Sequence, residues 1–226
     1  MGVLFWYNIL IIAGMLVSIP YFFFAQKEYR KKHLIIFLVL LGTSITEVMA
    51  RDLQLSKINN SLVINIGYIT ISISLLFIFF YFILNRNKSI LLLSGVYITW
   101  IIINSIYFQP IASTFHNYSW ALSSFIIIGM CFYYFYEVLT KDKYLNQSLI
   151  SIPDFWIVSF VLFFYSCSFL YFVSFNFFYD KIDIAYYTQL NFLMKILGSS
   201  MYLVMGLAFY APLIFKNESI INKSIS

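Results

Sequence analysis

Charge is what this chain has least of. Asp, Glu, Lys and Arg make up 10% of its 226 residues, and hydrophobic residues make up 62%. A soluble domain carries roughly 25% charged and about 45–50% apolar residues. A water-soluble globule is therefore excluded, and the chain falls in the membrane class. Its polar segments reach only about ten residues, too short to fold alone. Cysteine and histidine are also scarce. Cys131 and Cys167 fall inside apolar runs and read as reduced, buried small hydrophobes. Two cysteines supply neither a disulfide framework nor a zinc site. His33 and His116 are expected on opposite sides of a membrane. No His-x-x-x-His, Gly-x-Ser-x-Gly or Cys-x-x-Cys motif occurs. There is no phosphate loop, and the basic clusters are too short to hold nucleic acid. The sequence therefore names no cofactor, no metal ligands and no catalytic residue. Its 22% aromatic content accompanies abundant Phe, Tyr, Ile, Asn and Lys, a bias that an AT-rich genome produces, and carries no functional weight.

Long apolar runs are what the chain has in quantity. A hydrocarbon core about 30 Å thick takes roughly 20 apolar residues of helix. Seven runs have that length: Val3–Ala25, Leu34–Leu53, Ser61–Leu84, Ile90–Phe108, Tyr118–Leu139, Ile152–Phe177 and Tyr187–Phe215. They are continuous, whereas the strands of a membrane β-barrel alternate. Short connections make successive helices antiparallel neighbours. The expected fold is all-α, a single domain of seven transmembrane helices over residues 1–226. The segment Gln26–His33 sets its orientation, because Lys27, Arg30, Lys31 and Lys32 hold it on the cytoplasmic side. Alternation then gives ten Lys and Arg on inner segments and three outside, Arg51, Lys57 and Lys181, with Lys195 inside a helix. The N-terminus is expected outside and the C-terminus inside. The first run follows no basic segment, which suits a signal anchor rather than a cleaved signal. Smaller expectations follow. Pro20 should kink the first helix. Ser151 to Asp154 reads as a capping box with an early proline. Trp6 and Trp120 should sit at the outer interface and Trp156 at the inner one. Glu137 and Lys141 should pair along their helix.

Polar side chains inside hydrocarbon turn toward a bundle's interior. The seventh helix carries Asn191, Lys195, Ser199 and Tyr202 on one face, and the second carries Thr43, Glu47 and Arg51. The third carries Ser61, Asn65, Tyr68 and Ser72, and the fourth Tyr97, Trp100, Asn104 and Tyr107; the first adds Asn8 and Ser18. At about 1.5 Å per residue, most of these fall in the outer half. They predict an outward-facing cavity lined by Glu47, Asn65, Trp100, Asn104, Asn191 and Lys195, open to a small molecule or a lipid. Alternatives stand beside this. Asn and Ser also bond helix to helix; Lys195 could snorkel to the interface or reach Glu47 across the bundle; Glu47 could pair with Arg51 on its own helix.

A lysine on the last of seven helices suggests a retinal protein, but Lys195 is too close to the outside and the third helix has no carboxylate. Transport built on paired repeats lacks a visible repeat, and an enzyme would have to use His116, Ser119 and Glu47. The chain resembles a family of small, uncharacterised seven-helix bacterial membrane proteins often encoded beside two-component sensor histidine kinases. Thr46-Glu47, Asn65 with Tyr68, Tyr118-Ser119, Pro153-x-Phe155-Trp156-Ile157 and Tyr165 carry the resemblance. Near the end this chain has Gly198-Ser199-Ser200 where the family more often shows an Asn-rich face. The resemblance implies a multi-pass protein of the bacterial inner membrane, a sensory or accessory module whose partners are the lipid bilayer and a sensor kinase or other membrane protein. A small-molecule transporter or a membrane-embedded lipid-modifying enzyme are the other classes.

Overall fold

The computed structural model describes residues 4–24, 27–141, 144, 148–178 and 184–215; every regular element among them is helical. Among the described residues, seven helices are long and apolar enough to cross a membrane: α1 (Trp6–Phe24), α2 (Arg30–Leu55), α3 (Ser61–Ile83), α4 (Lys88–Tyr107), α5 (Asn117–Thr140), α6 (Pro153–Phe178) and α7 (Ile184–Leu207). The protein is thus an integral membrane protein with an all-α, seven-helix fold. Of the cations used to orient it, Lys143, Lys181, Lys216 and Lys223 lie outside the described residues.

The helices pack in chain order, and α7 closes the ring against α1. Contacts of α2 with α7 and of α3 with α5 fill the centre and leave α4 at the rim, where Leu92, Ile102 and Ile106 are exposed. The core is formed by Ile36, Val39 and Leu40 of α2, Phe77 and Phe80 of α3, Ile127 and Cys131 of α5, and Val158 and Val161 of α6. Helices in lipid associate through close packing rather than through a hydrophobic drive, and α1 and α7 lie in tight contact at two glycines. A Cβ on Gly14 would meet the Tyr202 carbonyl oxygen at 2.6 Å, and one on Gly206 would overlap the backbone of Gly14.

Pro20 breaks α1 between Ser18 and Tyr21 because it cannot donate a backbone bond. Side chains satisfy the carbonyls this exposes. The Tyr210 hydroxyl donates to Val17 O at 2.8 Å, and His33 Nε2 approaches Ser18 O at 3.0 Å and Ser18 Oγ at 2.9 Å. Tyr21, Phe22 and Phe209 enclose the His33 ring. Pro212 acts likewise at the end of α7: the chain tightens into a 3₁₀ turn over Ala208–Tyr210 before a last turn, Ala211–Ile214.

Three local expectations meet different outcomes. Glu137 and Lys141 do pair, at 2.8 Å. The capping box does not form. Ser151 Oγ donates to Ser148 O at 2.6 Å, and Asp154 turns to Lys32 at 2.5 Å, because a buried carboxylate gains more from a cation than from one N–H. Trp120 is buried, not interfacial; its indole N–H donates to Ser168 Oγ at 2.5 Å, and the ring stacks on Tyr165.

Candidate functional site

Within α3, Asn65–Ser72 is wound as a π-helix, a form that occurs mostly as single turns and frequently at functional sites. The sequence supports it locally. Thr70 Oγ1 donates to Asn65 O at 3.2 Å and Ser72 Oγ to Gly67 O at 2.9 Å, each five residues back. Tyr97 OH of α4 donates to Ile69 O at 2.8 Å. Gly67 lets this segment lie directly on Thr46 of α2, with no room for a Cβ. The winding directs two side chains apart. Asn65 turns to the α4–α5 connection, where its Nδ2 donates to Ile111 O and Thr114 O, both at 2.8 Å, and its Oδ1 accepts from His116 N at 3.1 Å. Tyr68 turns to α2, where its hydroxyl donates to Glu47 Oε1.

Glu47 stands at the centre of this arrangement. Its other oxygen accepts from Asn8 Nδ2 of α1 at 2.5 Å, and Asn8 Oδ1 in turn accepts from Phe5 N at 3.1 Å. Neither Arg51 nor Lys195 forms an ion pair with Glu47; among the described residues the ion pairs are Lys32–Asp154 and Lys141–Glu137. Arg51 instead lies on the Phe5 ring at 3.8 Å and donates to Gln54 at 3.1 Å. Lys195 Nζ lies 5.2 Å from the centre of the Tyr7 ring and 5.7 Å from that of Phe5, within cation–π range.

Between these groups is a cavity of about 200 Å³, bounded by α1, α2, α3, α5, α6 and α7. Its polar lining is Glu47, Lys195, Ser168 and Ser199; Tyr7, Tyr68, Phe115, Trp120, Phe164, Phe172 and Tyr202 supply rings. Gly198 leaves space for the Phe164 ring, whose Cε2 would lie 3.3 Å from an added Cβ. A few polar groups against aromatic walls between helices are the usual make-up of a small-molecule site.

Of the six residues expected to line a cavity, Glu47 and Lys195 face this one. Asn65, Trp100, Asn104 and Asn191 are not among its lining residues. Asn65 is taken up by the connection described above. Asn104 Nδ2 donates to Gln109 Oε1 at 3.1 Å and Ser119 Oγ at 2.9 Å. Trp100 stacks on Phe108 and borders a separate groove beside Gly95 and Leu122, and Asn191 is half-buried on α7. No hydrogen bond joins His116, Ser119 and Glu47 among the described residues: Ser119 serves Asn104, and His116 is buried at the start of α5. The sequence reading missed the aromatic half of the site. Its signal was present in Phe164, Ser168 and Phe172, spaced by four on α6, but such a stripe reads equally as core. Among the described residues no group of His, Cys, Asp and Glu could hold a metal ion. The chain matches no family model, no curated protein and no solved structure.

Proposed function

We propose that this membrane protein is a sensory or accessory module that binds a small molecule in the cavity around Glu47 and Lys195. The observation that carries this reading is the meeting of an acid and an amine in one aromatic-walled space beside a π-wound segment. The charge asymmetry of the connections supports placing that end of the bundle outside, in the inner membrane of a bacterium. The resemblance to proteins encoded beside sensor kinases supports a kinase as the partner, contacted at the basic end near Arg30 and Lys31. Coupling requires the bound molecule to favour one of two helix packings. Tyr68 and Asn65 fit that role, since one helix segment holds both the cavity acid and a connecting loop.

Cysteine accessibility tests the binding half. With Cys131 and Cys167 replaced by Ala, Ser199→Cys should react with a membrane-impermeant maleimide in intact cells, while Asn85→Cys at the opposite end should react only in inside-out vesicles. Silence of Ser199→Cys from both sides would close the cavity as a site, and labelling from the inside alone would invert the topology. Signalling has its own test: co-expression should change the autophosphorylation of a neighbouring sensor kinase, and Glu47→Gln should remove that change.

A further inference from the structure

The cavity's chemistry, taken with the reading that it binds a small molecule, indicates which molecule class it takes. A carboxyl group and an amine line one space without forming an ion pair. In a low-dielectric site opposite charges attract strongly, and an unpaired charge there is costly. Each is nevertheless held on its own side: Glu47 by Asn8 of α1 and Tyr68 of the π segment, and Lys195 by the ring faces of Tyr7 and Phe5. The two lining serines have partners of their own: Ser199 Oγ donates to Lys195 O at 2.7 Å, and Ser168 Oγ accepts from the Trp120 indole. Glu47 has two donors on it, and a carboxylate has about four acceptor sites. Lys195 has three N–H donors and no hydrogen bond or ion pair among the described residues. An acid alone would leave Glu47 facing its apolar body, and an amine alone would leave Lys195 so placed. We infer that the cavity takes a small zwitterion with an apolar body, of the α-amino-acid class, its ammonium toward Glu47 and its carboxylate toward Lys195.

Size agrees. A cavity of about 150 Å³ takes one benzene ring, so one of about 200 Å³ holds roughly eight non-hydrogen atoms, close to leucine. Full-length protein in lipid nanodiscs, titrated calorimetrically, tests the assignment with three probes of one shape: leucine, leucinamide without the carboxylate, and 4-methylpentanoate without the amine. Leucine should bind tightest and each analogue about ten-fold weaker or more. Glu47→Gln should erase the advantage of leucine over 4-methylpentanoate, and Lys195→Met its advantage over leucinamide. The wild-type ranking decides the matter even where a variant fails to fold. Either analogue matching leucine overturns the zwitterion class while leaving the cavity a binding site. No binding by any probe overturns the class as well, and the binding reading then stands or falls on the labelling of Ser199→Cys.

Discussion

The two ends of the bundle treat an acid and a base in opposite ways. At the end carrying the basic segment, Lys32 and Asp154 touch at 2.5 Å, Tyr144 OH donates to the same carboxylate oxygen at 3.4 Å, and α2 is tied to α6. At the other end Glu47 and Lys195 share a cavity and stay apart. The same chain can thus close a buried pair when the geometry allows, so the open pair reflects the side chains that hold it open. Asn8 and Tyr68 hold Glu47 on one side and aromatic faces hold Lys195 on the other, and both keep bonding capacity to spare. One end is a fastening between helices, and the other is a space kept available.

Removing one partner at each end should expose that contrast most strongly. Asp154→Ala strands the Lys32 ammonium and should cost about 3 kcal/mol or more, read from denaturant titration in detergent micelles. Glu47→Gln keeps an acceptor for Tyr68 and should cost about 1 kcal/mol or less; equal losses would erase the distinction. Gly206→Ala comes next, at about 1–3 kcal/mol from overpacking. By forcing α1 from α7 it should separate Tyr7 from Lys195 and raise labelling of Ser199→Cys, while a disulfide-scanning distance across the α2–α6 tie stays unchanged.

The smallest effect is in pH. Burial holds the His116 imidazole below its ordinary 6.5. The unfolded chain therefore takes up the proton first, and stability present above about pH 6.5 is lost as pH falls from there toward the folded value. Burial, with Glu28 and Asp154 adding, pushes the Tyr29 phenol up to about 12 from its ordinary 10. Stability there is full below about pH 10 and is lost as pH rises toward 12. His116→Gln should flatten the acid side of a melting-temperature profile and Tyr29→Phe the alkaline side; a single variant flattening both would mean the ends do not titrate separately.

The seven helices and the Pro20 break were legible because hydrophobic length and a missing N–H act locally. So was the Glu137–Lys141 pair, one helical turn apart. Lys32 and Asp154 are 122 positions apart, and nothing near either residue announces the other; Gly14 and Gly206 are equally remote in sequence. The polar stripes identified residues that turn inward but not what they meet. Asn65 and Asn104 meet a loop and its flanks, whereas Glu47 and Lys195 meet a cavity, and only the tertiary path distinguishes these. Trp120 was misplaced for the same reason: its position near a helix start suits an interface, and its burial depends on Ser168 and Tyr165 from another helix.

The π-wound stretch Asn65–Ser72 also has a consequence for movement. Eight residues in that form store slack that an α-helix would have to shed. Shedding one residue turns everything on its N-terminal side by about 100° and shifts it by about 1.5 Å. Such a turn would carry the Tyr68 hydroxyl off Glu47 and pull Asn65 out of the 111–116 loop in one motion. A rewinding of this segment would thus change the contact on the acid and the anchorage of the loop together.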